Sequence, residues 1–476
     1  MKRYIRSFFY SLLTVAFIIS YTSCKKFVQV GGAKNQVTTA TVFADSTDAT
    51  AAILGIYINM MGSSSTINMF HGGVTIYTGL SGDELVPHKG LSDENEFYTN
   101  GLSVSDVTNG GLWTSAYTWI YQANACIEGV TGSTNISDTW KNQLIGEAKF
   151  MRALLYFHLV NLFGDIPLIT STDYQTNASI PRTSSEQVYQ QIIMDLQDAQ
   201  QLLVAAYPST GRVRPNQYAA TALLAKVYLY HQDWAKAEAA ATTVISSPNY
   251  SLVANLNNVF LAGSNEAILQ FIPLQAGSET AEGYNFIPSS TTAIPSYAIG
   301  DSLLNAFNPG DLRMTSWLGK NTVTVAGTPT TYYYPFKYQH GRDGLSTPKD
   351  YYMVLRLGEQ YLIRAEARAQ QGQGHLNDAA ADLNMILARA GFTGGTSAST
   401  QQDLLTAIYH ERQVELFCES GNRWYDLRRT GRANSVMSIV TPEKGGAWKS
   451  GWQFYPIPYS EIQANSFLTQ NPDYLN

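Results

Sequence analysis

The sequence predicts a mainly α protein, an irregular superhelix of helix pairs interrupted by long loops and small β insertions. Three observations carry that prediction. Apolar residues recur at helical spacing through several separate segments, the strongest being NQLIGEAKFMRALLYFHLVNLFGDIPLI. Two helix pairs about 140 residues apart repeat one pattern of small and aromatic positions. Between them, over 250–349, the chain becomes Gly-, Thr-, Pro- and aromatic-rich with only short runs that alternate.

The first 23 residues have the three parts of a secretory leader. Lys2, Arg3 and Arg6 precede an apolar run from Phe8 to Ile19, and the small residues Ser20, Thr22 and Ser23 follow. That run is about 12 residues, short of the roughly 20 that a spanning helix needs. Small residues directly before Cys24 suit lipoprotein processing, in which the thiol is acylated and becomes residue one. The alternative is an incidental thiol, and Tyr21 stands where Leu, Val or Ile is usual. Acyl chains contribute about 0.8 kcal/mol per buried methylene, so several of them anchor a domain without spanning the bilayer. Residues 24–40 form a flexible tether. Removal of 1–23 takes three positive charges and no negative ones, lowering the net charge from −6 to −9.

A helix is expected from about Asp45 to Met61, with Ala51, Leu54, Ile58 and Met61 on one face. Residues 62–111 are Gly/Ser/Asn-rich and poorly periodic, which predicts a long loop. Helix resumes over LWTSAYTWIYQANACIEGV. In the next and strongest helix Leu144, Ala148, Met151, Leu155, Leu159 and Leu162 step round at 3.6 spacing, and Phe150, Leu154, Phe157 and His158 widen the stripe. Gly164 supplies a left-handed end and Pro167 prevents continuation. His158 fits a satisfied core histidine, and Glu147 and Arg152 fit paired structural charges.

After the helix SSEQVYQQIIMDLQDAQQLLVAA, the pair RPNQYAATALLAKVYLYHQ and DWAKAEAAATTVISSPNY resembles a tetratricopeptide unit. Ala225, Tyr228, Ala237 and Ala241 take its small and aromatic positions, and Pro248 lies near its terminal proline. A second copy begins at YLIRAEARAQQGQGHLNDAAADLNMILARAG, with Ala365 and Ala380 in the same parts. In the intervening region NEAILQFIPL suits a short strand, PSYAIGDSLLNAFNPGDLRM a short helix and turn, and VTVAGTPTTYYYPFKYQ a hairpin with an aromatic rim.

Chemistry is sparse. No phosphate-binding loop, dinucleotide fingerprint, nucleophile elbow or EF-hand loop is present. HERQVE lacks the second His at i+4 that a zinc protease motif needs. No metal ligand set, cofactor or catalytic residue is expected. An acidic chain without a basic stripe argues against nucleic acid. Cys126 and Cys418 sit in apolar helical patterns and fit buried thiols, with one disulfide left open. The aromatic count of 30 Tyr, 19 Phe and 8 Trp exceeds what a core needs to explain, since several fall in polar stretches. Glu411, Glu415 and Glu419 share a helix face near Arg412, Arg423, Arg428 and Arg429, which predicts a buried ion-pair network.

Four segments together resemble the SusD/RagB family of outer-membrane nutrient-binding lipoproteins: GEAKFMRALLYFHLVNLFGDIPLI, LRLGEQYLIRAEARAQQG, ERQVELFCESGNRWYDLRRTG and FYPIPYSEIQANSFLTQNPDY. They span over 300 residues. The resemblance implies a SusD-like superhelix of tetratricopeptide-like pairs, with a helical region over 41–250 and a RagB/SusD region over 251–476 packed as one unit. It implies a non-enzyme, lipid-anchored through Cys24 at the outer membrane on the cell surface. Its partners would be a glycan and a SusC-like TonB-dependent transporter, over which the lipoprotein closes like a lid. Peptides or another oligomeric nutrient are the alternative cargo, and a protein-interaction adaptor the alternative class. The ligand site varies within the family, so only regions carry over. One is the loop with Asp83, Glu84, His88, Asn95 and Tyr98, whose polar groups could accept sugar hydroxyls. A second is Trp113, with Tyr117 and Trp119 nearby. The third is the insert with Tyr284, Tyr297, Trp317, Tyr332, Tyr333 and Tyr334, since a sugar's C–H face can lie on an aromatic ring.

Overall fold

The computed structural model describes residues 39–62, 68–274, 280–344, 347 and 349–474. The leader 1–23, Cys24 and the tether up to 38 lie outside the described residues. Helix α1 (Ser46–Met61) starts at Asp45, whose carboxylate accepts from the N–H groups of Thr47 and Asp48 at 2.8 and 3.0 Å. Its buried face is Ala49, Ile53, Ile56, Tyr57, Met60 and Met61, whereas Ala51, Leu54 and Ile58 are exposed. The helix is apolar nearly all round, so spacing alone could not choose the face. A polar anchor fixes the rotation: Tyr57 donates its hydroxyl to Glu147 Oε2 at 3.1 Å inside the core.

The long loop expected over 62–111 is instead mostly regular structure. A π-helical turn at Met69–Gly73 leads into α2 (Val74–Ser81), followed by β1 (Leu85–Pro87) and α3 (Ser92–Tyr98). Every residue of α2 is buried, so it has no polar face and no amphipathic period to read. Then come α4 (Val107–Gly132), α5 (Asp138–Phe163), α6 (Ser185–Leu202), α7 (Gln217–Tyr230) and α8 (Trp234–Ile245). The insert holds β2 (Ala267–Phe271), α9 (Ala281–Phe286), β3 (Tyr297–Ile299), and the hairpin β4 (Leu318–Val325) and β5 (Thr328–Pro335). There follow β6 (Tyr352–Arg356), α10 (Leu357–Gln370), α11 (Leu376–Arg389), α12 (Gln401–Glu415), α13 (Asn422–Arg429), α14 (Ala433–Glu443) and the short α15 (Tyr459–Ala464).

The helices stack as predicted, in a superhelix. Helix α4 packs on α5, α5 on α6, α6 on α7, α7 on α8, α8 on α10, and α10 on both α11 and α12. The tetratricopeptide-like pairs α7/α8 and α10/α11, far apart in sequence, are thus direct neighbours in space. Ala225, Ala237, Ala241 and Ala365 are all fully buried, and their small side chains allow that close approach. The strands pair antiparallel as β1–β3, β2–β6 and β4–β5. The insert is therefore pinned by β1–β3 to the segment before α3, and by β2–β6 to the start of the second helix pair. Among the described residues no helix is long and apolar enough to cross a membrane.

The α5 stripe Leu144, Ala148, Met151, Leu155, Leu159 and Leu162 is fully buried, and Gly164 ends the helix at φ +75°. His158 shares a 3.1 Å hydrogen bond with the Tyr425 hydroxyl, and burial aided by Lys226 lowers its pKa to about 3. It is a neutral core histidine. Glu147 and Arg152 find partners on other elements rather than each other: Arg214 donates to Glu147 at 2.6 and 2.9 Å, and Arg152 to Asp195 at 2.6 and 2.8 Å. Cys126 and Cys418 are free and buried, and burial pushes the Cys126 thiol up to about 12.

The ion network at the end of α12 is present, but its cations are not the neighbouring arginines. Arg313 donates to Glu411 and Glu415 at 2.6 and 2.9 Å, and Arg356 to Glu415 and Glu419 at 2.6 and 2.8 Å. Arg389 binds Glu266 and Glu415, and Lys337 donates to Glu419 at 2.5 Å. Arg412 and Arg429 turn instead to Asp426, and Arg423 to Asp83. Long-range partners win because the carboxylates face Arg313 and Lys337 of the insert, Arg356 of β6 and Arg389 of α11 rather than their own helix.

Candidate functional site

A cavity of about 810 Å³ opens between the first half of α4, the Met69–Gly73 turn, the segment 89–94 and α9. Its walls follow from local sequence. Asn68 Oδ1 accepts from the N–H groups of Phe70 and His71 at 3.0 and 2.8 Å, which starts the turn. Gly72 sits at φ +81°, and a Cβ on Gly73 would lie 2.3 Å from the Asn68 carbonyl oxygen, so the HGG sequence is needed to bring His71 to the cavity. Asp106 caps α4, accepting from the Asn109 N–H at 2.6 Å, and burial raises its pKa to about 6. Along α4, Thr108, Thr114, Ser115 and Thr118 give a wall of small hydroxyl-bearing side chains, with Val107 and Gly111 between them, ending at Trp119.

The floor is charged. The β1–β3 register places Pro87 opposite Tyr297. Tyr297 is fully buried and donates its hydroxyl to Glu94 Oε1. Lys89 Nζ lies 3.2 Å from the Tyr297 hydroxyl, 3.3 Å from Asn285 Oδ1 and 3.8 Å from Glu94 Oε1. Asp93 Oδ2 accepts from Thr108 at 2.9 Å. Burial raises the Glu94 pKa against the opposing pull of Tyr297 and Lys89, and its Oε2 is buried with no hydrogen-bond partner. On the other wall Tyr284 is 45% exposed, with the Arg342 guanidinium 4.3 Å from its ring centroid.

Of the residues singled out from sequence, this cavity gathers Tyr284 and Trp119 at its walls and has Tyr297 beneath its floor. Several others are framework. Asp83 is buried; burial pushes its carboxyl up, but Arg423 at 2.6 and 2.8 Å outweighs this and holds it below the usual range. Glu84 is buried too, accepts from the Cys418 N–H at 3.0 Å, and is raised by burial to about 8. Trp113 is 2% exposed and packs against Tyr117 and Phe163. Trp317 is fully buried, donates Nε1–H to the Leu256 carbonyl at 2.9 Å, and has Lys337 Nζ 4.7 Å from its ring. It covers cations of the ion network and has no surface for a ligand. Tyr334 is buried over Gly319, and Tyr333 packs on the core. Tyr332 meets the exposed His88 ring at 5.1 Å, Asn95 is exposed on α3, and half-buried Tyr98 lies beside Lys444; none of these lines the cavity. Sequence reasoning missed Lys89, Asp93, Glu94, His71 and Asn285. Three of these five lie inside the stretch SGDELVPHKGLSDENEFY and were passed over for their neighbours.

The comparisons with known proteins agree with this architecture. A family model described as "Starch-binding associating with outer membrane" matches residues 46–229, and the SusD family model matches residues 284–474. The SusD-like protein P2 of Formosa agariphila is 27% identical, covering 91% of this chain and 93% of its own. A SusD superfamily structure from Bacteroides vulgatus shares the fold at TM-score 0.78 and 21% identity, covering 90% of this chain and 99% of that one. A laminarin binding SusD-like protein superposes at TM-score 0.72 and 26% identity, over 90% and 99% of the two chains.

Proposed function

The chain belongs to the SusD/RagB family, and from that premise we propose that it captures oligosaccharides at the outer membrane and delivers them to a TonB-dependent transporter. The observation that carries the glycan assignment is the cavity beside α4. It offers an exposed tyrosine face, a wall of threonine and serine hydroxyls, and a floor of fixed polar groups, the combination a sugar's apolar C–H face and ring of hydroxyls requires. The laminarin-binding relative of similar fold supports the same assignment. The lining offers hydroxyl, amide and fixed charged groups, which suit binding and release of a polar ligand. Anchoring rests on the leader and Cys24, and the tether would let the folded part swing over a membrane pore.

Calorimetric titration of residues 25–476 against soluble neutral oligosaccharides and, separately, mixed oligopeptides tests the assignment. Saturable binding of a glycan is the expected result. Saturable binding of peptides alone would replace the cargo class, and silence with both would overturn the cavity as a nutrient site. Co-purification with a transporter from the native membrane, lost when Cys24 is replaced by alanine, tests the anchoring and delivery.

A further inference from the structure

We propose that the floor of this cavity selects its glycan by charge, admitting neutral and amine-bearing chains and rejecting carboxylated or sulfated ones, with Glu94 as the selecting residue. The inference rests on the glycan assignment above. Glu94 is 1% exposed, yet its Oε2 has no partner while Oε1 is held by Tyr297 and lies near Lys89. A buried carboxylate oxygen without a donor is a standing demand for an O–H or N–H group, and a sugar hydroxyl or amine supplies one. A ligand carboxylate or sulfate supplies only acceptors, and its charge meets a second carboxylate at Asp93 on the same lining.

The surrounding charges point the same way. Lys89 is the sole ammonium lining the cavity among the described residues, and it is already engaged by Glu94, Tyr297 and Asn285. Burial lowers the pKa of His71, which keeps its imidazole neutral. Asp106, which caps α4 outside the lining, acts on Tyr77 with the same sign as Asp93 and Glu94. Arg342 lies over the Tyr284 ring and donates to the carbonyls of Ile287 and Tyr284 at 2.8 Å each, so its hydrogen bonds are directed into the rim. The carboxylates therefore outnumber the free cations where a ligand would rest. Discrimination arises as much from repulsion of the wrong ligand by these carboxylates as from contacts with the right one.

The test pairs neutral polysaccharides (laminarin, soluble starch, xylan and mannan) with acidic ones (alginate and polygalacturonate) in affinity electrophoresis of the mature protein. The sulfated derivative of whichever neutral chain binds is then added as a matched probe. The expected result is retardation by a neutral chain and at least tenfold weaker binding of its sulfated form. An acidic polysaccharide bound as tightly as the best neutral one would overturn the charge inference and leave the glycan assignment standing. Binding of peptides and of no polysaccharide would overturn both. In Glu94→Gln the neutral-to-sulfated ratio should fall at least threefold, and in Lys89→Met it should rise. An unchanged ratio in both variants, with melting temperatures near wild type, would remove Glu94 from the selecting role. If Glu94→Gln does not fold, the Lys89→Met ratio decides: a fall or no change overturns the inference.

Discussion

Two clusters of buried charge in this chain are built on opposite terms. Around the end of α12, each carboxylate oxygen of Asp311, Glu266, Glu411, Glu415 and Glu419 accepts at least one hydrogen bond, mostly from Arg313, Arg356, Arg389 and Lys337. Aromatic rings close over the cations: Lys337 Nζ is 3.9 Å from the Phe417 centroid and 4.7 Å from that of Trp317. On the cavity floor, Lys89 and Glu94 are held by neighbours on one side only, and one carboxylate oxygen is left over. The first cluster ties the insert to the helical stack; the Arg389 Nε–H is left without a partner, but no carboxylate oxygen is. The second is an unfinished network, and what would finish it comes from outside. The difference teaches that a buried charge is informative through its unsatisfied atoms rather than through its burial.

Removing Arg356 should give the largest effect. It serves Glu266, Glu415 and Glu419 together, and stripping one partner from a buried ion cluster costs about 3–5 kcal/mol. Arg356→Ala is expected at the upper end of that range, as a large drop in the urea midpoint or failure to accumulate folded protein. A loss under about 1 kcal/mol would erase the contrast between the clusters. Trp317→Ala comes next, at roughly 3–4 kcal/mol from cavity formation and the exposed cations beneath. Protein that still folds should bind glycan with unchanged affinity by calorimetry. Selective loss of affinity would place Trp317 at the ligand after all.

The third effect depends on pH. Burial raises Glu84 to about 8 and Glu282 to about 7, against about 4.3 for glutamate in an unfolded chain. Between those values the folded state holds protons that the unfolded state has released. Stability from each group is therefore complete below about pH 4.3 and is lost as pH rises towards its folded pKa, by about 1.4 kcal/mol per pH unit. Urea midpoints at pH 5, 6 and 7 should fall less steeply in Glu84→Gln than in wild type. Parallel slopes would mean that Glu84 is charged in the fold, beside the Arg423–Asp83 pair.

How much of this was legible in the sequence follows from the same physics. Long helices announced themselves: α5 runs for 26 residues, so its apolar stripe repeats over many turns even though every residue from Phe150 to Phe163 is buried. Helix α2 did not, since it has only eight residues, all of them buried, and no period can be read over about two turns. The network around Glu411, Glu415 and Glu419 was visible as like charges on one face, but its cations come from residues 313, 337, 356 and 389, which no local rule links. Aromatic residues in polar stretches pointed to the insert as a binding region. They could not separate Tyr284, on the cavity wall, from Trp317, which the same insert folds over its own lysine. Glu94 was within the quoted loop, and only the coordinates reveal that one of its oxygens is left alone.

The smallest effect is at Tyr284, and it tests the open side of the comparison most directly. The ring is 45% exposed and has the Arg342 guanidinium over it, so one face is occupied and its position is held. The Arg342 hydrogen bond goes to the Tyr284 backbone carbonyl, which alanine retains. Tyr284→Ala should therefore leave the melting temperature within the shift expected of a surface change, about 0.5 kcal/mol. Loss of the ring as a platform for a sugar face should weaken glycan binding by about 0.5–1.5 kcal/mol, roughly two- to tenfold by calorimetry. Tyr284→Phe keeps the face and should bind within about twofold of wild type on the same argument. If phenylalanine fails as badly as alanine, the hydroxyl and not the ring face is what meets the ligand. If alanine binds normally, the ligand lies deeper, against the hydroxyl wall of α4 and the floor beneath it, and Tyr284 is only rim.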